Sequence, residues 1–124
     1  GGGVRRPPAD TVAYVQDNTF LTGHDDGTLA MWNTAKKRPT CKLPATHGHN
    51  NKKMPRPIVS LAVNNDLAIT GSHDGYIRLW KIDSAKGRLH SAGKIPIHGY
   101  TNDIAISAKA QFCVVAIGQE PKLG

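Results

Sequence analysis

Residues 67–80 read Leu-Ala-Ile-Thr-Gly-Ser-His-Asp-Gly-Tyr-Ile-Arg-Leu-Trp, and this stretch decides the fold of the chain. An apolar run at its start and a β-branched and aromatic run at its end have the composition of two strands. Asp74-Gly75 lies between them, and this dipeptide favours the positive φ angles of a tight turn. The stretch therefore predicts a β-hairpin.

The same pattern occurs a second time at Phe20–Trp32, which reads FLTGHDDGTLAMW. Five residues recur at an offset of 48 positions: Thr22/Thr70, Gly23/Gly71, Asp26/Asp74, Gly27/Gly75 and Trp32/Trp80. Residues 111–118 repeat the second-strand pattern, with Gly118 lying 47 positions after Gly71. Short alternating apolar segments around each copy predict about four strands per repeat, including an outer strand at residues 36–43 and another at residues 87–94.

Repeats of about 40–45 residues with four strands and a closing Trp are typical of WD40 β-propeller blades. The prediction is an all-β chain of about two and a half blades. Because a propeller protects its strand edges by closing, we expect a fragment of a larger propeller. The predicted units are a flexible arm at 1–8, a blade at 9–46, a blade at 47–96 with a basic loop at 47–57, and a partial blade at 97–124. The Asp that usually follows the blade Trp is replaced by Asn33 and Lys81.

Composition limits the classes of partner. Among 124 residues, 16 Lys and Arg against 9 Asp and Glu leave a net charge of +7, which favours a polyanionic ligand such as nucleic acid. Two cysteines provide no disulfide framework and indicate reduced thiols in the cytosol or nucleus. No apolar run reaches the ~20 residues of a membrane span, so no membrane partner is expected.

A buried Trp indole requires a hydrogen-bond acceptor, and the repeat offers a polar relay for it. The predicted members of this structural relay are His49, with His47 as the alternative, Thr70 or Ser72, Asp74 and Trp80. A metal site built from His47, His49, His73 and Asp74 is the competing hypothesis. The repeat explains His49 and Asp74 without a metal, so no metal and no cofactor are predicted. Ser72-His73-Asp74 has the letters of a hydrolase triad, but adjacent residues cannot converge, and no catalytic residue is predicted.

Two basic clusters are the candidate ligand surface. Pro-stiffened cationic loops can bind phosphates, although they carry no base specificity by themselves. The alternative is that both clusters are simply solvated. The predicted RNA-binding residues are Lys36, Lys37, Arg38, Lys52, Lys53 and Arg56.

The C-terminal part of the chain carries the most specific pattern. An Ile-Pro leader at 95–96 is followed by Gly99-Tyr100 and by a final Gly-Gln-Glu-x-x-Leu-Gly motif. With the two blades before it, this pattern resembles the WD40 protein family of the U3 small nucleolar ribonucleoprotein, over roughly residues 19–124. The matching motif residues are Gly118, Gln119, Glu120, Leu123 and Gly124, and they serve either a family-specific contact or a blade turn.

The resemblance implies a roughly seven-bladed propeller without enzymatic activity. It implies a nucleolar protein that binds U3 small nucleolar RNA, box C/D core proteins and other proteins of the small-subunit processome, and that supports pre-rRNA processing for ribosome biogenesis. The alternative function is a generic WD40 protein–protein scaffold in another complex. A propeller enzyme would need a convergent polar cluster at the central channel, and the sequence shows none.

Overall fold

A computed structural model describes residues 9–96 and the backbone of two short strands at 103–106 and 114–117. The predicted arm at 1–8 and the motif at 118–124 lie outside the described residues. No helix occurs in the part of the chain that the structure describes.

Two four-stranded antiparallel sheets follow one another along the chain. The strands of the first sheet, in spatial order, are β1 (Ala9–Gln16), β2 (Thr19–His24), β3 (Leu29–Asn33) and β4 (Cys41–Leu43). The strands of the second are β5 (Ser60–Asn64), β6 (Leu67–Gly71), β7 (Tyr76–Asp83) and β8 (Arg88–Pro96). A two-stranded sheet pairs β9 (Asp103–Ile106) with β10 (Val114–Ile117). The prediction of an all-β chain built from repeated four-stranded sheets is confirmed.

The two predicted hairpins have the same register. Phe20 pairs with Trp32 in the first sheet, and Ala68 pairs with Trp80 in the second. Gly27 and Gly75 close the turns with φ angles of 81° and 78°, a conformation that glycine adopts without a Cβ penalty. The 48-residue offset is therefore a real structural repeat.

The outer strand of the first sheet is shorter than predicted. A strand over residues 36–43 is wrong at its beginning, because β4 contains only Cys41–Leu43. Residues 34–40 form a turn instead, in which the Lys36 N–H donates to the Asn33 carbonyl at 2.9 Å. Pro39 lacks an N–H for the ladder, so strand pairing starts after it.

The core lies between the two four-stranded sheets. One face of the first sheet packs against the Trp80 face of the second, and its fully buried members are Leu21, Leu29 and Met31. Ala68, Trp80 and Ile82 meet them from the second sheet. The repeat-equivalents of the first three, Ile69, Ile77 and Leu79, form a separate cluster on the far face of the second sheet. Each sheet thus presents an aliphatic face on one side and a Trp face on the other.

The Trp face of the first sheet is only partly buried by the described residues. Phe20 and Trp32 stack on it with ring centroids 6.2 Å apart. Val12 and Tyr14 pair directly with Thr22 and Phe20, so they share this face, and they are 63% and 66% exposed. If a further sheet packed on this face, as the first sheet packs on the Trp80 face of the second, it would bury these side chains.

The connection at 44–57 is the segment that joins the two sheets. It contains one isolated bridge, between His49 and Pro55, and otherwise no strand. Thr46 anchors it to the first sheet, since its N–H and its hydroxyl both donate to the Gly27 carbonyl, at 2.9 and 2.6 Å. The Ile58 N–H then donates to the His24 carbonyl at 3.0 Å, and β5 begins two residues later. The predicted blade boundary between residues 46 and 47 falls inside this connection.

Candidate functional site

A buried polar relay joins the connection to the second sheet. The Trp80 indole Nε1 lies 2.9 Å from Thr70 Oγ1, and that hydroxyl lies 2.8 Å from His47 Nε2. His47 Nδ1 in turn lies 3.1 Å from the Asp74 carboxylate. His47 and Thr70 are both fully buried. The relay therefore bonds the connection to strands β6 and β7 and to the turn between them.

One assignment of hydrogens satisfies every atom of this relay. An indole N–H can only donate and a carboxylate can only accept. The Trp80 N–H therefore donates to the Thr70 hydroxyl, the Thr70 O–H donates to His47 Nε2, and His47 Nδ1–H donates to Asp74. Because each buried polar atom has a partner, the relay stabilises the fold rather than offering a reactive group.

Two of the residues named for the relay lie outside it: His49, which is a correction, and Ser72, the alternative to Thr70. His49 is exposed at the isolated bridge, and His47 takes its place because the turn at Ala45–Gly48 directs residue 47 into the core. Ser72 is buried but does not contact the indole, since its hydroxyl donates to the Pro57 carbonyl. Thr70, Asp74 and Trp80 are brought together as described above.

The first sheet has an equivalent relay with a different histidine. The Trp32 indole donates to Thr22 Oγ1 at 2.8 Å, as Trp80 does to Thr70. The histidine partner of Thr22 is His24, at 2.8 Å, which lies on the same strand two residues on. Asp26 accepts the Thr28 N–H at 2.9 Å, just as Asp74 accepts the Tyr76 N–H at 3.1 Å. The turns are thus built alike, although their histidines come from different places.

Asp74 is the acid of the relay, and its surroundings lower the pKa of its carboxyl. Burial raises the pKa of its carboxyl, but hydrogen bonds from His47, Arg78 and the Tyr76 N–H outweigh burial and lower the pKa to about 2. Arg78 holds the carboxylate with two nitrogens, Nη2 at 3.0 Å and Nε at 3.2 Å. The relay therefore contains an ionised carboxylate at neutral pH.

The low pKa of Asp74 predicts a loss of stability in acid. Because the folded pKa, about 2, lies below the ordinary value of 3.8, the contribution is complete above pH ~4 and is lost as the pH falls further. Between about pH 5 and pH 2, we expect the free energy of unfolding to fall by about 2 kcal/mol more in the unmodified chain than in Asp74→Asn. Denaturant titrations of both proteins across this range measure the difference. Parallel pH profiles would contradict it.

The turn between β3 and β4 carries the first basic cluster. Lys36, Lys37 and Arg38 are all exposed there. The turn is fixed at both ends: the Thr34 N–H donates to the Asn18 carbonyl at 2.8 Å, and the Thr40 N–H donates to the Met31 carbonyl at 2.8 Å. The three cations thus project from an ordered turn.

The connection carries the second basic cluster. Lys52 and Lys53 are exposed at its tip, where Asn50 Oδ1 accepts the N–H groups of Lys52 and Met54 at 2.9 and 3.0 Å. Arg56 is half-buried, and its Nη1 donates to the His47 carbonyl at 3.1 Å. Arg56 therefore has a structural contact that the two lysines lack.

The structure does not bring the two basic clusters together. The Lys36–Arg38 turn follows the C-terminal end of β3, whereas the connection is bonded to Gly27 at the other end of that strand. A five-residue strand separates the ends by roughly 16 Å. The two clusters therefore lie at opposite ends of the β3 strand.

Lys86 is a candidate binding residue that the sequence interpretation missed. It lies in the β7–β8 turn and lines a cleft of about 600 Å³ with the Lys36–Arg38 turn of the first sheet. The signal was present in the repeat, because Lys86 lies 48 positions after Arg38.

A second missed group surrounds Tyr76. The Lys94 ammonium lies 4.6 Å from the centre of the Tyr76 ring, and the Arg78 guanidinium carbon lies 5.9 Å from it. Cross-strand pairing of Arg78 with Lys94 places both cations beside this ring. Because these distances are typical of cation–π contacts, the ring already has cationic partners.

Neither a metal centre nor a membrane span is found in the described residues. Within residues 9–96, no group of three or more His, Cys, Asp or Glu is positioned to bind a metal ion. No helix of the described part has the length and hydrophobicity needed to cross a membrane.

Comparison with known proteins gives consistent results. The chain matches the family model "WD domain, G-beta repeat" at residues 10–33 and 41–81. It is 32% identical to mouse U3 small nucleolar RNA-interacting protein 2 over 120 residues, which is 93% of this chain and 25% of that protein. The chain thus spans about a quarter of the length of this relative.

Two solved structures share the fold. The structure described as RRP9 WD40 repeats has a TM-score of 0.69 at 31% identity, and covers 81% of this chain with 32% of its own. The structure described as U3-55K has a TM-score of 0.67 at 31% identity over the same shares. Together with the repeated sheets, the indole relays and the family match, these similarities show that the chain belongs to the WD40 family and forms consecutive blades of a β-propeller.

Proposed function

We propose that this chain belongs to a non-catalytic component of the U3 small nucleolar ribonucleoprotein, which acts in the nucleolus. In this role it binds U3 small nucleolar RNA, box C/D core proteins and other processome proteins, and supports pre-rRNA processing for the small subunit. The observation that carries the proposal is the similarity to U3 small nucleolar RNA-interacting protein 2 along 93% of the chain.

The polar residues of the site support a binding role. His47 and Thr70 are fully buried with their hydrogen bonds made, so the relay offers no accessible nucleophile or base. By contrast, the exposed side chains at the turn and at the connection tip carry positive charge, which suits phosphate contacts. The proposed RNA contacts are Lys36, Lys37, Arg38, Lys52 and Lys53, with the remaining N–H groups of Arg56.

Salt dependence tests the proposed RNA contacts. If five or more cations bind phosphates, the affinity of the full chain for a U3 RNA fragment should fall about 100-fold between roughly 50 and 200 mM salt. Replacing Lys36, Lys37 and Arg38 by glutamine should reduce the slope of log affinity against log salt by about 2 to 3. Fluorescence anisotropy measures both. An unrelated RNA of equal length is the control for specificity. An affinity that does not change with salt concentration would contradict the proposed phosphate contacts.

A protein–protein scaffold is the second candidate function. Met54 favours it, because this flexible apolar side chain is 58% exposed at the tip of the connection and Met is common on adaptable binding surfaces. Pull-down of box C/D core proteins before and after nuclease treatment separates the two functions. Capture of these proteins that is lost with the RNA supports the ribonucleoprotein role, whereas no capture in either sample supports a scaffold in another complex.

A further inference from the structure

The cleft between the two sheets is formed by two turns in direct contact. Gly87 of the β7–β8 turn packs against Thr40 of the β3–β4 turn so closely that a Cβ at Gly87 would lie 3.1 Å from the Thr40 Cβ. Gly87 has a φ of +66°, which lets the β7–β8 turn bend towards the first sheet. The cleft is therefore built from residues of both repeats.

The lining of the cleft is strongly cationic. None of the ten described residues that line it is acidic, and four are basic: Lys36, Lys37, Arg38 and Lys86. Asp83, the neighbouring acid, accepts the Lys86 N–H at 3.1 Å with Oδ1 and lies outside the lining. No ion pair between described side chains neutralises these four cations. The mutual repulsion of four such groups favours a bound anion.

The chemistry of the lining favours a phosphate-bearing ligand over a protein. Its apolar members are small, namely Pro39, Ala85 and Gly87, so it lacks the large apolar anchors that dominate protein interfaces. Phosphodiester oxygens require only charge and N–H or O–H donors. The Asn33 side-chain amide, whose oxygen accepts the Ala35 N–H at 2.8 Å, still has its NH₂ donors for such a contact.

We infer that this cleft is a binding site for the phosphodiester backbone of RNA, in which Lys86 of the second repeat completes the site begun by the Lys36–Arg38 turn of the first. The inference rests on the proposed function in naming RNA as the ligand. It adds Lys86 and the junction between consecutive blades, and it separates this site from the lysines at the connection tip.

Binding of a U3 RNA fragment to the full chain tests the role of Lys86. Lys86→Gln should weaken binding roughly 5-fold at 0.1 M salt and lower the salt slope by about 0.8, as expected for one lost phosphate contact. Lys81→Gln is the matched control, because Lys81 is also exposed and carries the same charge, but it pairs with Asp66 and does not line the cleft. It should change the affinity by less than about 1.5-fold. Equal losses of affinity in both variants, or no loss in Lys86→Gln, would show that the cleft is not an RNA-binding site.

A titration with tripolyphosphate tests anion binding in the cleft separately from the proposed RNA-binding function of the chain. We expect the NMR signal of the Gly87 amide to shift, while that of Gly75, an exposed glycine of the β6–β7 turn outside both basic clusters, does not. Shifts at Gly87 without any RNA affinity would support the anion site and refute the proposed function. RNA binding that leaves Gly87 unperturbed would refute the cleft and leave the proposed function standing.

Discussion

Replacing His47 with alanine should lower the free energy of unfolding by about 3 kcal/mol. The imidazole is fully buried, so its loss leaves a cavity between the connection and the second sheet. The Thr70 hydroxyl loses its acceptor and Asp74 loses one donor, and each unmet buried partner adds to the cost. Equilibrium denaturation of the full chain measures the change.

His49→Ala is the control for this prediction. His49 lies only two residues away but is exposed, so its replacement should change stability by less than about 0.5 kcal/mol. A larger effect for His49 than for His47 would show that the relay passes through the other histidine.

Gly27→Ala is expected to destabilise the fold by about 3 kcal/mol. A Cβ at this position would lie 2.6 Å from the Arg56 carbonyl oxygen and 3.1 Å from the Ala45 Cα, and both are backbone atoms that cannot rotate away. The φ of +81° adds a conformational cost of about 1 kcal/mol for any residue with a side chain. Denaturant unfolding again provides the measurement.

Gly75→Ala isolates the conformational part of that effect. Gly75 has almost the same φ, +78°, but apart from its own neighbours in the chain no atom of the described residues lies within 4 Å of the place that a Cβ would occupy. We therefore expect a loss of only about 1 kcal/mol. Equal losses for the two glycines would mean that the connection does not pack on the first turn.

The sequence was sufficient to predict the strands and the position of each indole. The apolar alternation and the Asp-Gly turns are local properties, and the 48-residue offset transferred them from one repeat to the next. It also identified three of the relay residues, Thr70, Asp74 and Trp80. The length of β4 was overestimated because the apolar pattern does not show where a turn before Pro39 ends.

The basic clusters show where a sequence pattern stops being informative. The sequence grouped the Lys36–Arg38 turn with the cations of the connection, since both are runs of positive charge. The structure separates the two clusters to opposite ends of β3. It places Lys86 in the same cleft as the Lys36–Arg38 turn. Charge runs reveal how many cations there are, but only the packing of the two turns determines which of them face one another.

By itself the sequence determined the all-β fold, the four-strand repeat and the glycine turns, because side-chain alternation and preferred φ angles act between near neighbours. The tertiary structure alone decided between His47 and His49, between the crowded Gly27 and the open Gly75, and which lysines share a cleft. In each of these choices the residues are of the same type, and they differ only in what distant parts of the chain pack against them.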